Sequence, residues 1–240
     1  MTGNQRVPAA ILGFLHRTDT CSVSNAIETF HIRMCNEGFV QGGIRCLFPD
    51  LPPVAGYAVT ATIRSTAPPI SGYCYYQRPD WWRYVASSPG PKIMVIQDLD
   101  HVPGTGALFG EIHAEIGRAL GCIGYLTNGI VRDMGALQAV GVQCFARGAG
   151  VSHSYAHIVE FGIPVHIGAL KIAPGDLLHG DLNGIHSIPL SIADQLPAIV
   201  GEMAARESEL IALCRAPDFS ADKLEDALHL GANRDAKRTP

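Results

Sequence analysis

Hydrophobic and polar positions change period several times along the chain, and each change marks an element. Tyr57, Val59, Ala61 and Ile63 alternate with Ala58, Thr60, Thr62 and Arg64, the period of a half-buried strand. Ile93-Met94-Val95-Ile96 is apolar without a break, as a buried strand requires. Over residues 111–120, Ile112, Ile116 and Leu120 fall on one face of a helix. Residues 123–126 form an apolar run too short for a helix. Thr127-Asn128-Gly129 then turns the chain, and residues 131–137 read as the start of the next helix.

The same reading gives helical character to residues 8–15 and 24–30, with N-cap residues for the second within Thr20-Cys21-Ser22-Val23-Ser24-Asn25. Residues 142–147 are another short strand. Residues 164–189 read as β-hairpins, with strands at 170–172, 177–180 and 185–188 and with Asp176 and Asp181 as turn residues. From Ser191 the pattern is helical: Ile192, Leu196, Ile199, Met203, Leu210 and Cys214 step by threes and fours, and Glu207 fills the one gap. A carboxylate on such a seam either reaches water at the helix edge or meets a polar site across an interface. The tail from Gly231 reads as polar and frayed. Between the first strands, residues 67–90 hold four prolines and the aromatic cluster Tyr73, Tyr75, Tyr76, Trp81, Trp82 and Tyr84. This segment is either a functional insertion or aromatic packing onto the core.

Composition narrows the classes. With 240 residues, 47% of them apolar and 17% charged, the chain can bury a sizeable core. The net charge of −4, from 22 acids and 18 bases with no basic block, argues against nucleic acid or an anionic membrane as partner. The seven cysteines form no CxxC pair, which points to reduced thiols, and Cys21 has no base at a meaningful spacing. No run approaches a membrane span and residues 1–17 lack a signal-peptide pattern, so a cytoplasmic location is expected.

The candidate chemistry lies between residues 98 and 133. Gly104, Gly106 and Gly110 make a loop whose N–H groups can approach an anion. Glu111 opens the following helix, and Arg132 and Asp133 fall at or just past the carboxyl end of the next strand, where open α/β sheets place ligands. A right-handed crossover would bring Glu111 and Asp133 to one crevice. A cation beside a carboxylate suits an anionic substrate and a hard metal; the simpler reading is a pair that opens a helix. His153 and His157 are spaced as a metal pair if helical, and otherwise as surface residues.

Gly110-Glu111 followed by Gly121-x-x-Gly124-x-x-x-Asn128-Gly129-x-Val131-Arg132-Asp133 resembles the signature of the RraA-like family, with residues 173–184 as a second match. The family includes the regulator of ribonuclease activity A and divalent-metal 4-hydroxy-4-methyl-2-oxoglutarate aldolases. The resemblance implies an α/β fold, a three-layer ββα sandwich similar to swivelling phosphohistidine domains, over residues 1–190. Residues 191–240 would be a C-terminal helical extension making oligomer contacts in a homotrimer or homohexamer. It implies a metal-dependent class II aldolase or oxo-acid lyase; the alternative is a non-enzymatic regulator that binds a ribonuclease or another protein. By position, Asp133 would ligate Mg²⁺ or Mn²⁺ directly. Glu111 and a neighbouring subunit's Glu207 would act through water, and Arg132 would bind a small 2-oxo acid with help from Gly106, Leu108 and Gly110. His101, His153 and His157 are weak candidates for acid–base work. Asn128 and Asn25 stand where aldolase members commonly carry Asp.

Overall fold

The computed structural model describes residues 6–41, 43–70 and 77–236; Tyr73, Tyr75 and Tyr76 of the aromatic cluster lie outside them. The first half of the chain forms α1 (Ala9–Leu15), α2 (Thr20–Glu28), β1 (Arg45–Cys46), β2 (Val54–Arg64), α3 (Pro79–Ser87), β3 (Lys92–Asp98) and α4 (Glu111–Ala119). Next come β4 (Cys122–Thr127), α5 (Met134–Val140), β5 (Gln143–Ala146), β6 (His157–Phe161), β7 (Val165–Ile167) and β8 (Leu170–Ile172). The chain ends with β9 (Leu177–Asp181), β10 (Gly184–Ile188), α6 (Leu196–Cys214) and α7 (Ala221–Ala236). It divides into two compact units, residues 1–194 and 195–240.

In the first unit an eight-stranded sheet runs β1-β5-β4-β3-β2-β9-β10, with β6 added to β2. β2, β3, β4 and β5 are parallel neighbours. The other edge of β2 pairs antiparallel with β9 over its first residues and with β6 over its last. Phe39 bridges His186 on β10, while β1 a few residues later pairs with β5. One short stretch therefore touches both edges of the sheet, which curls towards a closed barrel. The fold is mixed α/β, as the alternation of strands and helices implied.

β2 departs from the half-buried expectation: all of it except Arg64 is buried. Both edges are paired and both faces covered, so its alternation reports two different cores instead of core and solvent. Val59, Ala61, Ile63, Met94, Ile96 and Tyr125 pack with Trp81, Val85, Ala114 and Leu137. Ala58, Ile93, Val95, Leu126 and Phe145 pack with Val165, Ile167, Leu170 and Ile172 of the β7–β8 hairpin. Trp81 of α3 thus belongs to the core.

Three helix expectations are corrected. α2 begins at Thr20, not residue 24, because Asp19 caps it through Ser22 N at 2.8 Å. α4 buries His113, Ala114 and Gly117 and leaves Ile112 exposed. A Cβ on Gly117 would lie 2.7 Å from Cε of Met94, so close approach through small residues, not apolar bulk, selects the buried face. α7 continues to Ala236 where fraying from Gly231 was expected. In the second unit α6 buries only Leu196. No helix among the described residues is long and apolar enough to cross a membrane.

Candidate functional site

The residues before α5 are extended, not helical. Val131 bridges Phe109 on one side and Ala149 on the other. Arg132 N donates to Phe109 O at 3.0 Å and Gly150 N to Val131 O at 2.8 Å. This short ladder fixes the loop before α4 beside the Arg-Asp pair and delays helix α5 to Met134. Asp133 makes the junction in the left-handed region, with φ 57° and ψ 44°, where Asp is one of the few non-glycine residues tolerated.

That backbone turns the Asp133 carboxylate back onto α4. Its Oδ2 accepts from Glu111 N at 3.2 Å and from Arg132 Nε at 3.2 Å. Asp133 therefore satisfies a first-turn N–H of α4, whose own N-cap, Gly110, has no side chain to offer. The fit depends on Gly110: a Cβ there would lie 2.5 Å from Asp133 Oδ2 and 2.9 Å from Arg132 Cγ. The four residues interlock, and Glu111 and Asp133 come together at an exposed corner, where a crevice was expected, joined through the Glu111 backbone N–H. Among the described residues Asp133 Oδ1 accepts no hydrogen bond.

The glycine loop is tied down from within. Asn128 clamps the end of β3, its Oδ1 accepting from Asp98 N at 2.7 Å and its Nδ2 donating to Asp98 O at 3.0 Å. Asp98 Oδ2 accepts from Gly104 N at 2.8 Å, and Gly106 N donates to Ser65 Oγ at 3.0 Å. These two N–H groups are thus committed inside the protein. Burial, reinforced by the Asp100 charge, raises the Asp98 carboxyl above its ordinary range, against the bonds from Asp100 N and Gly104 N. Leu108 is buried in the core.

Beneath the corner sits His113, which the sequence reading passed over. Burial, with the Arg132 charge adding to it, pushes its imidazole down to about 3, so it is neutral. Its ring lies 5.4 Å from that of Trp82 and 6.4 Å from that of Phe109, centroid to centroid. The available signal was its place on the same helical face as Ala114 and Gly117.

Other residues lie elsewhere. His153 is in a loop and His157 in β6, so they form no helical pair; their Nδ1 atoms sit 2.7 Å from the carbonyls of Ser154 and Tyr155 respectively. His101 is exposed. Glu207 is exposed midway along α6, in the second unit. No group of three or more His, Cys, Asp or Glu side chains is gathered for a metal among the described residues. The corner instead offers Asp133, with one oxygen uncommitted, and the neighbouring Glu111. That donor set fits a hard cation that keeps most of its waters, such as Mg²⁺, better than one needing a full protein cage.

Fold and corner together define a mixed α/β protein that gathers a glycine, a glutamate, an arginine and an aspartate at the carboxyl edge of its parallel strands. The chain belongs to the RraA-like family: the family model, described as Aldolase/RraA, matches residues 20–186. A protein of Halalkalibacterium halodurans, provisionally named a 4-hydroxy-4-methyl-2-oxoglutarate aldolase, is 32% identical over 104 residues, covering 43% of this chain and 48% of that protein. The match thus spans about half of the relative's length. An uncharacterized protein from Pseudomonas syringae pv. tomato superposes with a TM-score of 0.73 at 20% identity, over 96% of this chain and 98% of that one. Streptomyces coelicolor RraAS2, described as an unusual member of the RNase ES inhibitor RraA protein family, gives 0.65 at 19% identity, over 88% and 99%. At these identities the two structures speak for the fold alone.

Proposed function

We propose that this protein is a divalent-metal-dependent lyase that cleaves by retro-aldol reaction, or decarboxylates, a 2-oxo acid to give pyruvate. Substrates of the type of 4-hydroxy-4-methyl-2-oxoglutarate and oxaloacetate suit it. The observation that carries the reading is the interlocked corner: a carboxylate held by a left-handed backbone, braced by one N–H and one guanidinium, with its second oxygen left for a ligand. Asp133 holds Mg²⁺ or Mn²⁺ directly, and Glu111 supports it through water. Bound there, the cation supplies Lewis-acid stabilisation of the negative charge that develops on the substrate oxygen. Arg132 binds the substrate carboxylate or 2-oxo group, and its bond to Asp133 fixes the angle at which it does so. Neutral His113 adds no competing positive charge beneath Arg132.

Glu207 completes the site from a neighbouring subunit of a trimer or hexamer, and the C-terminal helices make the oligomer contact. The three-layer ββα description, with its likeness to phosphohistidine domains, and a cytoplasmic location belong to the same reading. The family also includes regulators; a regulator acting through its surface does not require Glu111, Arg132 and Asp133 together. The test is pyruvate release from both substrates, coupled to lactate dehydrogenase, with Mg²⁺, Mn²⁺ or a chelator and a blank without enzyme. Metal-dependent release above the blank supports the lyase. Absence of release from both substrates by folded, metal-supplied protein counts against it.

A further inference from the structure

The Arg-Asp corner is framed by a ring of backbone that closes on one buried residue, Ser65. Val131, directly before Arg132, bridges Phe109 on one side and Ala149 on the other. The chain leading to Phe109 passes through Gly106, whose N–H donates to Ser65 Oγ at 3.0 Å. The chain leaving Ala149 reaches Tyr155, whose N–H donates to Ser65 O at 3.1 Å. Inside the ring, Ala107 N donates to Ser152 O at 3.0 Å and ties the two chains together. Ser65 follows the last residue of β2 and is fully buried, so the ring is anchored to the sheet there.

The hydrogen bonds at this anchor have a fixed direction. Asp100, just beyond β3 and also buried, accepts from Ser65 N at 2.8 Å and Ser65 Oγ at 2.7 Å. It accepts from Thr66 N at 3.1 Å and Thr66 Oγ1 at 2.8 Å as well. Burial alone would raise its carboxyl, but these donors hold it below its ordinary range. An ionised carboxylate only accepts, so the single proton of Ser65 Oγ is committed to Asp100. The Gly106 N–H therefore meets an Oγ lone pair. Alanine at position 65 would remove that acceptor and leave the buried Gly106 N–H unsatisfied. The fit around Gly106 is close on both sides: a Cβ there would lie 2.9 Å from Ser65 Cβ and 2.5 Å from His153 O.

We propose that Ser65 is a positioning residue for the Arg-Asp corner: its hydroxyl transmits the grip of the Asp100 carboxylate to Gly106 and so fixes the segment that ends at Gly110. That segment holds the corner at two points. Phe109 O accepts from Arg132 N at 3.0 Å, and Gly110 packs so closely on Arg132 and Asp133 that a Cβ would not fit between them. Ser65 thus acts through the loop and not on the substrate. Its effect on turnover rests on the lyase reading, in which misplacing a reacting group by ~1 Å can cost on the order of a hundredfold. Its effect on the frame does not rest on that reading.

The test compares Ser65→Ala with Thr66→Val in the full-length protein. Each removes one hydroxyl from the same carboxylate, but only the first breaks the bond to Gly106. Ser65→Cys, which fills the space and offers only a weak acceptor, is the second variant and answers for Ser65→Ala if alanine impairs folding. The first readout is hydrogen exchange at the Arg132 and Gly150 amides, which bond to Phe109 O and Val131 O on the two sides of the frame. Val95, paired on both sides within the sheet, is the reference. Both frame amides are expected to exchange about tenfold faster or more in the Ser65 variants, with Val95 unchanged and Thr66→Val like the parent. The second readout is kcat/KM for pyruvate release from oxaloacetate with Mg²⁺, expected to fall about tenfold or more in the Ser65 variants only. Frame amides unchanged in the Ser65 variants, or accelerated equally in Thr66→Val, would overturn the proposal. So would parental kcat/KM in Ser65→Ala and Ser65→Cys. A parent that releases no pyruvate counts against the lyase reading alone, because the exchange rates decide the positioning without turnover.

Discussion

Asp133 makes the corner through its backbone as much as its charge. At φ 57° an alanine would pay roughly 1 kcal/mol that Asp or Asn largely avoids. Asp133→Asn is therefore expected to melt close to the parent and Asp133→Ala about 1 kcal/mol below it, as thermal unfolding would show; equal melting of the two variants would contradict the left-handed assignment. Gly110→Ala forces a Cβ into the 2.5 Å approach to Asp133 Oδ2. It should destabilise by about 1–3 kcal/mol and lower turnover more than tenfold, while an unchanged turnover would mean that the interlock does not position the site. The pairing of Glu111 with Arg132-Asp133 was legible, because glycine spacing and strand–helix alternation are written locally. The left-handed turn at Asp133 and the buried His113 were not. Both depend on how closely α4 lies against the sheet, which no single stretch encodes.

Among the elements, β3, β4, the strand β8 and the β9–β10 hairpin were readable from apolar runs and turn residues alone. The hairpin expected between β8 and β9 does not form: β8 pairs with β7 in a separate two-stranded sheet, and β9 pairs with β10 and β2. The buried face of α4 and the full burial of β2 were not readable, since each is decided by what comes to lie against it. Asn128 carries the same lesson. In the sequence it is a departure from a carboxylate; in the fold it both accepts from and donates to the Asp98 backbone, at 2.7 and 3.0 Å. An ionised aspartate cannot donate the second bond and would set a further negative charge beside Asp98. Asn128→Asp should therefore lower stability by about 1–3 kcal/mol, measured by urea unfolding at neutral pH. A stability equal to the parent would show the clamp to be dispensable.

At the scale of the molecule, a nearly closed sheet buries histidines as neutral groups, and this gives stability a defined pH dependence. His179 is pushed down to about 4 and His113 to about 3, while the unfolded chain takes up these protons near pH 6.5. The unfolded state therefore binds more protons between about pH 6.5 and 4, and stability falls as pH falls through that window. His179 alone accounts for roughly 3 kcal/mol. Asp98, raised by burial, has the opposite sign and offsets part of the loss at the acid end. Urea midpoints should be level above pH 7 and drop steadily towards pH 4; a level profile throughout would contradict neutral burial. Family membership accounts for the fold, and the chemistry rests on one corner of it. The most direct test compares pyruvate release from oxaloacetate and 4-hydroxy-4-methyl-2-oxoglutarate by the parent and by Asp133→Asn, with Mg²⁺, with Mn²⁺ and with chelator. The expected result is metal-dependent release by the parent that falls at least a hundredfold in the variant at an unchanged fold. Release that persists in Asp133→Asn, or in the presence of chelator, would contradict the assignment.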